Sequence, residues 1–229
     1  MPRQARIVIP GLLHHVTQRG GRRQPVFFEP EDRQLYLRLL YKYAEQNDVQ
    51  IISRCLMTNH VHLGLVPETE DGLWKVLKPL HMRYAQEINS RQKWVGHLWQ
   101  ARFYSSPVDP EQVASVIRYI LRNPVRAGIV SRAVEYQWSS AKALYTGERD
   151  EFLRFDSKWA AILETIRGIP GWLDTEEQTD ELSRIRDAVC RDLPIGTADF
   201  IRTLEDRTGR FLTPRSAGRP PGSGTVKKK

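Results

Sequence analysis

No stretch of about 18 consecutive apolar residues occurs in this chain, so a membrane-spanning helix is not expected. Met1 to Pro10 carries neither an apolar core nor a small-residue cleavage site, so no signal peptide is expected. Cysteine is scarce, with only Cys55 and Cys190. Two thiols make no disulfide framework and suit a reducing cytoplasm. No internal repeat is visible, which excludes solenoids. Acidic residues are in deficit, 27 against 35 Lys and Arg, for a net charge of +8. The resulting pI near 9.7 makes nucleic acid the leading partner class. A basic surface that binds nothing is the alternative. The 229 residues can bury a full core, and one domain with an appendage is the natural expectation.

The most informative stretch is Leu56-Met57-Thr58-Asn59-His60-Val61-His62-Leu63-Gly64-Leu65-Val66. From His60 it alternates as a strand does. Val61, Leu63 and Leu65 go to one face, and His60, His62 and Gly64 to the other. Neighbouring same-face residues are spaced suitably to share a metal ion. A lone His-x-His is often incidental, so the pair needs a third ligand and a chemical partner.

Taken in order, Arg6 to Arg19 reads as a first strand, and Gly20-Gly21-Arg22-Arg23 as a flexible basic loop able to approach phosphates. Glu31 to Asn47 reads as a helix, with Leu35, Tyr36, Leu39, Leu40 and Tyr43 at helical spacing and Pro30 at its start. Val49 to Met57 is a second strand, hairpinned to the histidine strand. Gly72 to Arg91 is a second helix that Pro79 should kink or split. Gly96 to Val108 leads through a loop into a fourth strand, with Trp99 and Phe103 as core anchors. Glu111 to Arg122 is a third helix that ends or bends at Asn123-Pro124. Its apolar face is Val113, Ile117, Ile120 and Leu121. Tyr119 lies roughly 130° from the centre of that face, with Asn123 one turn on and on the same side. Tyr136 to Tyr145 holds a helix start capped by Ser139 or Ser140, and closes a first domain. Glu151 to Asp174 reads as mixed helix and loop, and helices follow at Glu176–Arg191 and Asp199–Thr208. Pro214 to Lys229 is rich in Pro, Gly, Ser and basic residues, and is expected to be disordered alone.

Five ordered blocks carry a resemblance: His15-Val16-Thr17-Gln18-Arg19-Gly20; Leu56 to Leu63; Gly96-His97-Leu98-Trp99-Gln100-Ala101-Arg102-Phe103; Arg118 to Gly128; and Tyr136-Gln137-Trp138-Ser139-Ser140. Over residues 6 to 145 the chain resembles the single-tyrosine HUH transposases of the IS200-like superfamily, and most closely the REP-associated tyrosine transposases of bacteria. The tail, with Arg215 and Gly218-Arg219-Pro220, is similar to the basic tails of that group. Thr58, Ala101 and Gly64 depart from its usual pattern, where proline, glycine and a larger apolar residue are common. None of these removes a chemical group.

The resemblance implies an α+β fold: a central antiparallel sheet with helices on one face, ferredoxin- or RRM-like, its other face open to DNA. It implies a catalytic domain over 1–148, a mostly helical extension over 149–213, and a basic tail over 214–229. It implies that His60, His62 and Asn123 hold Mg²⁺ or Mn²⁺ and that Tyr119 is the nucleophile. The expected reaction is cleavage and strand transfer of single-stranded, hairpin-bearing DNA through a 5′-phosphotyrosine. Arg19, Arg22, Arg23, Arg102, Arg118, Arg122, Arg126, Arg215 and Arg219 are the candidate DNA contacts. A cytoplasmic, nucleoid-associated protein is expected; monomer and homodimer stay open. Three other readings stand beside this one: a DNA-hairpin binder that no longer cuts, a hydrolase whose attacking group is water, and an RRM-like RNA binder.

Overall fold

The computed structural model describes residues 6–213. Its centre is a four-stranded antiparallel sheet in the order β2-β3-β1-β4. The strands are β1 (His14–Arg19), β2 (Val49–Leu56), β3 (His60–Pro67) and β4 (Tyr104–Pro107). Helix α1 (Pro30–Gln46) joins β1 to β2, and α2 (Gly72–Gln92) joins β3 to β4. This is the ferredoxin-like arrangement that the element order implies.

The first strand is shorter than expected. Pro10 and Gly11 form a turn, with Gly11 at φ +77, so residues ahead of His14 leave the sheet. The basic loop closes as one tight turn, Gly21–Arg23, in which Arg22 and Arg23 both take positive φ. Helix α1 starts where Pro30 allows, behind a capping box between Glu29 and Asp32. Its buried line is Tyr36, Leu37, Leu40 and Ala44, while Leu35, Leu39 and Tyr43 flank it half-buried.

Helix α2 corrects one expectation: it runs unbroken through Pro79. Proline lacks the N–H that would bond the carbonyl of Lys75, but Lys75 is exposed and water can take that carbonyl. Leu77, Leu80 and Tyr84, all fully buried, hold the helix to the sheet on either side of the missing bond.

Helices α1 and α2 share one sheet face with Val16, Val61, Leu63 and Leu65. The opposite face is not bare. Helix α3 (Val113–Leu121) packs over β2 and β3, and Arg122 then bends the chain into the short α4 (Asn123–Arg126). Helices α5 (Ala141–Thr146), α6 (Ser157–Arg167) and α7 (Thr179–Cys190) complete that layer. One hydrophobic cluster runs from Ile52 and Cys55 through Ile117 and Ile120 to Trp159, Leu163 and Ile185. Strand β2 is therefore buried along all eight residues, as a strand covered on both faces must be. Its free edge is occupied too. Leu56 N–H donates to the Trp138 carbonyl at 3.0 Å, and Ile51 pairs with Arg154. Helix α8 (Ala198–Thr208) packs separately, placing Leu204 against Ile7 and Ile9. Arg215 and Arg219, with the rest of the basic tail, lie outside the described residues.

Candidate active site

The alternation of β3 works as its sequence suggests. Val61, Leu63 and Leu65 enter the α1–α2 core, which sends His60 and His62 to the α3 side. The register then sets their neighbours. Arg19 lies opposite His60, Thr17 opposite His62 and His15 opposite Gly64. Residues directly opposite in an antiparallel pair share a face, so His15, Thr17 and Arg19 join the histidines.

Each candidate ligand has one nitrogen engaged and one left over. His60 Nδ1 meets Asn59 Oδ1 at 2.6 Å, and His62 Nδ1 meets His15 Nε2 at 2.8 Å. Both Nε2 atoms are left without a hydrogen bond among the described residues. This pattern of one nitrogen oriented by a partner and the other available is what metal-bound histidines show. The rings of His60 and His62 have centroids 4.9 Å apart.

These imidazoles are neutral near pH 7. Burial holds His60 down to about 4, helped by the charge of Arg19. Burial takes His15 to about 3, with Arg126 adding to the effect. His62 is pushed well below the ordinary value, by burial first and then by His60, His15, Arg126 and Arg19. A neutral imidazole keeps the lone pair that a metal needs.

Tyr119 reaches this group from α3. Its ring stands edge-on to His15 at 5.5 Å and to His62 at 6.0 Å, centroid to centroid. The residue is only 6% exposed, although it leaves the main apolar stripe of its helix. Asn123 sits at the helix end, where carbonyls lack intrahelical partners. Its Nδ2 donates to the carbonyls of Tyr119 and Ile120 at 3.0 and 3.2 Å. That fixes which branch of the amide is nitrogen and leaves Oδ1 as the unengaged acceptor.

His60, His62, Tyr119 and Asn123 line one pocket of about 510 Å³, with Thr17, Arg19, Gln100 and Arg126. Arg186, Val189 and Cys190 of α7 also line it, so the sheet face expected to stand open carries α3 and α7 beside the histidines. The donor set suits a divalent ion: two imidazole nitrogens and one amide oxygen, none of them charged. Among the described residues no three His, Cys, Asp or Glu side chains converge on a metal position, and the set reaches three only through Asn123.

The candidate arginines divide. Arg19, Arg22, Arg23 and Arg102 are exposed on the loop side of the sheet. The other three are matched by carboxylates of the extension. Arg118 pairs with Glu181 at 2.9 Å, Arg122 with Glu177 at 3.3 Å and Arg126 with Glu177 at 2.6 Å. Arg126 also lies over the Tyr119 ring, its Cζ 4.2 Å from the centroid. Sequence reading missed His15 and Asn59 as supports of the two ligands, and it missed Glu177 altogether. The signal for His15 was present in the alternation of His15, Thr17 and Arg19, but only the β1–β3 register turns it into a contact. Nothing local to Glu177 marks it.

A family model described as IS200-like transposase matches residues 9–123. A Haemophilus influenzae protein provisionally named a REP-associated tyrosine transposase is 26% identical over 115 residues. That alignment takes in 45% of this chain, and the chain spans 65% of the length of this curated relative. A solved structure of a REP-associated tyrosine transposase bound to a REP hairpin shares the fold with a TM-score of 0.54 at 18% identity, over 68% of this chain and 93% of that one. A Deinococcus radiodurans structure, provisionally described as a transposase, is 22% identical with a TM-score of 0.37, over 52% of this chain and 95% of that one. At that score it carries no weight.

Proposed function

The chain belongs to the IS200-like transposase family, and from that premise we propose that it cuts and rejoins single-stranded DNA beside a hairpin, with Tyr119 as nucleophile. The observation that carries this reading is one pocket, built by a single chain, in which Tyr119 stands beside His60, His62 and Asn123. A hydrolase using water would have no need of a tyrosine there. No helix among the described residues is long and apolar enough to cross a membrane. A cytoplasmic, nucleoid-associated setting fits a DNA-cutting protein of this charge.

His60, His62 and Asn123 would hold Mg²⁺ or Mn²⁺. When bound, the ion supplies Lewis-acid charge to a non-bridging oxygen of the scissile phosphate. The chain's own groups do the rest. His15 and Asn59 orient the ligating rings through their second nitrogens. Tyr119 Oη bonds to phosphorus as the bond to the 3′ oxygen breaks. The phenol gives up its proton and the departing oxygen takes one, leaving a 3′-hydroxyl on one fragment and a 5′-phosphate on Tyr119. Attack by another 3′-hydroxyl on the phosphotyrosine reverses the step and joins new ends. Tyr104 of β4 also lines the pocket, but the ring that stands against His15 and His62 is that of Tyr119, and a single nucleophile amounts to cleavage and strand transfer rather than repeated cycles.

The hairpin substrate is inferred from the relative solved with a REP hairpin. A folded single strand offers a stem and unpaired bases, which suits Arg19, Arg22, Arg23 and Arg102 on the exposed loop side. The test is a denaturing gel of labelled hairpin DNA with the chain and Mn²⁺ or Mg²⁺, with and without chelator. A metal-dependent, SDS-resistant protein–DNA band is expected. In Tyr119→Phe it should fall on the order of 10³-fold or more, while hairpin binding persists. Adduct surviving in that variant would remove Tyr119 from its role, and binding without any cut would leave a hairpin-binding protein.

A further inference from the structure

The extension beyond α5 places a buried carboxylate behind Arg126, a residue that lines the pocket, and the proposed reaction has not used it. Glu177 lies between α6 and α7, and its side chain is only 4% exposed. Both its oxygens accept from Arg126 Nη1 at 2.6 Å, and Oε2 also takes Arg122 Nε at 3.3 Å. Arg126 in turn donates from Nη2 to the Tyr119 carbonyl at 2.5 Å and lays its guanidinium on the Tyr119 ring. A continuous path thus runs from Glu177 through Arg126 to Tyr119. The family match ends at residue 123, so both Arg126 and Glu177 lie outside it.

From this geometry we propose that Glu177 is a positioning residue for the nucleophile, acting through Arg126, and that the extension is a working part of the active site. Arg126 is long and rich in rotamers. Without a fixed counter-charge its guanidinium would swing away and free the Tyr119 ring on that side. His15 and His62 edges bound the ring elsewhere, so Arg126 completes the frame. The opposite role, a latch that hides Arg126 from DNA until it opens, predicts an exposed and lightly held carboxylate. Glu177 is neither: the neighbouring Trp172 and Leu173 are in the core, and Leu173 accepts from Arg122 Nη1 at 2.8 Å.

The inference rests on Tyr119 being the nucleophile, and the test separates the two. Single-turnover adduct formation is followed at saturating hairpin DNA in wild type, Glu177→Gln and Ile185→Ala. Ile185 is buried in α7, in the apolar cluster and not in the chain of ion pairs from Glu177 to Arg126, so its truncation is a packing control. In Glu177→Gln the rate should fall by about tenfold or more, because a small misplacement of a reacting group is costly. Hairpin affinity should stay within about threefold, and Ile185→Ala should keep its rate at temperatures where it is folded. A Glu177→Gln rate that is unchanged, or raised together with affinity, overturns the proposal. If Glu177→Gln does not fold, Arg126→Lys keeps a charge for Glu177 but loses the planar fork and the stacking; a wild-type rate in that variant is equally decisive. A readout independent of cutting is the ring-carbon resonance of Tyr119 in tyrosine-labelled protein, assigned by its loss in Tyr119→Phe. It should move in Glu177→Gln and not in Ile185→Ala, and no movement overturns the inference. Absence of any adduct in wild type would instead count against Tyr119 as the nucleophile, while the resonance would still report on Glu177.

Discussion

His15 shows how much a single buried side chain can decide. It is fully buried, its Nε2 faces His62 Nδ1 at 2.8 Å, and its own Nδ1 has no partner. His15 stays neutral at low dielectric, which leaves two tautomers of the pair, one donating each way. The proposed metal site needs the one in which His62 donates from Nδ1, so that its lone pair lies on Nε2. Replacing His15 by Asn removes the acceptor at that distance. Mn²⁺ affinity, measured by calorimetric titration, should then drop roughly 10- to 100-fold, the usual cost of losing such a support. Unchanged affinity would mean that His62 is oriented by packing alone. That four candidate residues share one pocket was legible in sequence because each sits in a periodic element: His60 and His62 on a strand with period two, Tyr119 and Asn123 one turn apart on a helix. The burial of Tyr119 was not legible. Helical spacing gives its angle to the apolar stripe, but says nothing of α7, whose Ile185 and Val189 share one buried cluster with Tyr119.

At the scale of elements, α2 and β3 are instructive for opposite reasons. Pro79 predicts a break from local chemistry, yet tertiary burial of Leu77, Leu80 and Tyr84 keeps α2 whole. The lost hydrogen bond still has a cost. Pro79→Ala should raise stability in urea unfolding, by about 1–3 kcal/mol. A loss of stability would mean that the proline, half-exposed on its surface side, is needed for packing. In β3 the anomaly is Gly64, where a larger apolar residue is expected. A Cβ there would stand 2.4 Å from Ser53 Oγ and 3.3 Å from Leu13 Cδ1. The glycine thus belongs to a close contact across the strand pair beneath the site, not to a turn. Strand and helix order were readable because hydrophobic period changes cleanly from one element to the next. The length of β1 was not, since residues 6–13 carry apolar residues that serve α8 and the loops rather than the sheet.

For the whole molecule, the decisive feature is the second helical layer. The expectation of an extension from about residue 149 leaves open whether it packs on the catalytic domain. In the structure its residues share one hydrophobic cluster with α3, and they balance Arg118, Arg122 and Arg126 with Glu177 and Glu181. Such long-range pairing has no local sequence signature, because a glutamate on an amphipathic helix reads as a solvated charge until its partner is known. Among the described candidate arginines, the exposed ones are thereby those of the loop side, Arg19, Arg22, Arg23 and Arg102. Deleting residues 214–229, which include Arg215, Arg219 and three terminal lysines, should weaken hairpin binding and flatten its salt dependence without altering sequence preference. Binding isotherms over a series of salt concentrations on matched and scrambled hairpins check this. A change of preference would make the tail a reader of bases.

The central claim is that the Tyr119 oxygen takes the 5′ end of the cut strand. Peptide mass mapping of the trapped adduct tests it most directly. Cleavage after Arg118 and Arg122 releases Tyr119-Ile120-Leu121-Arg122, and this peptide should carry the mass of a 5′-phosphorylated nucleotide remnant. The same remnant on any other peptide, or cut DNA with no remnant on the protein, would contradict the account.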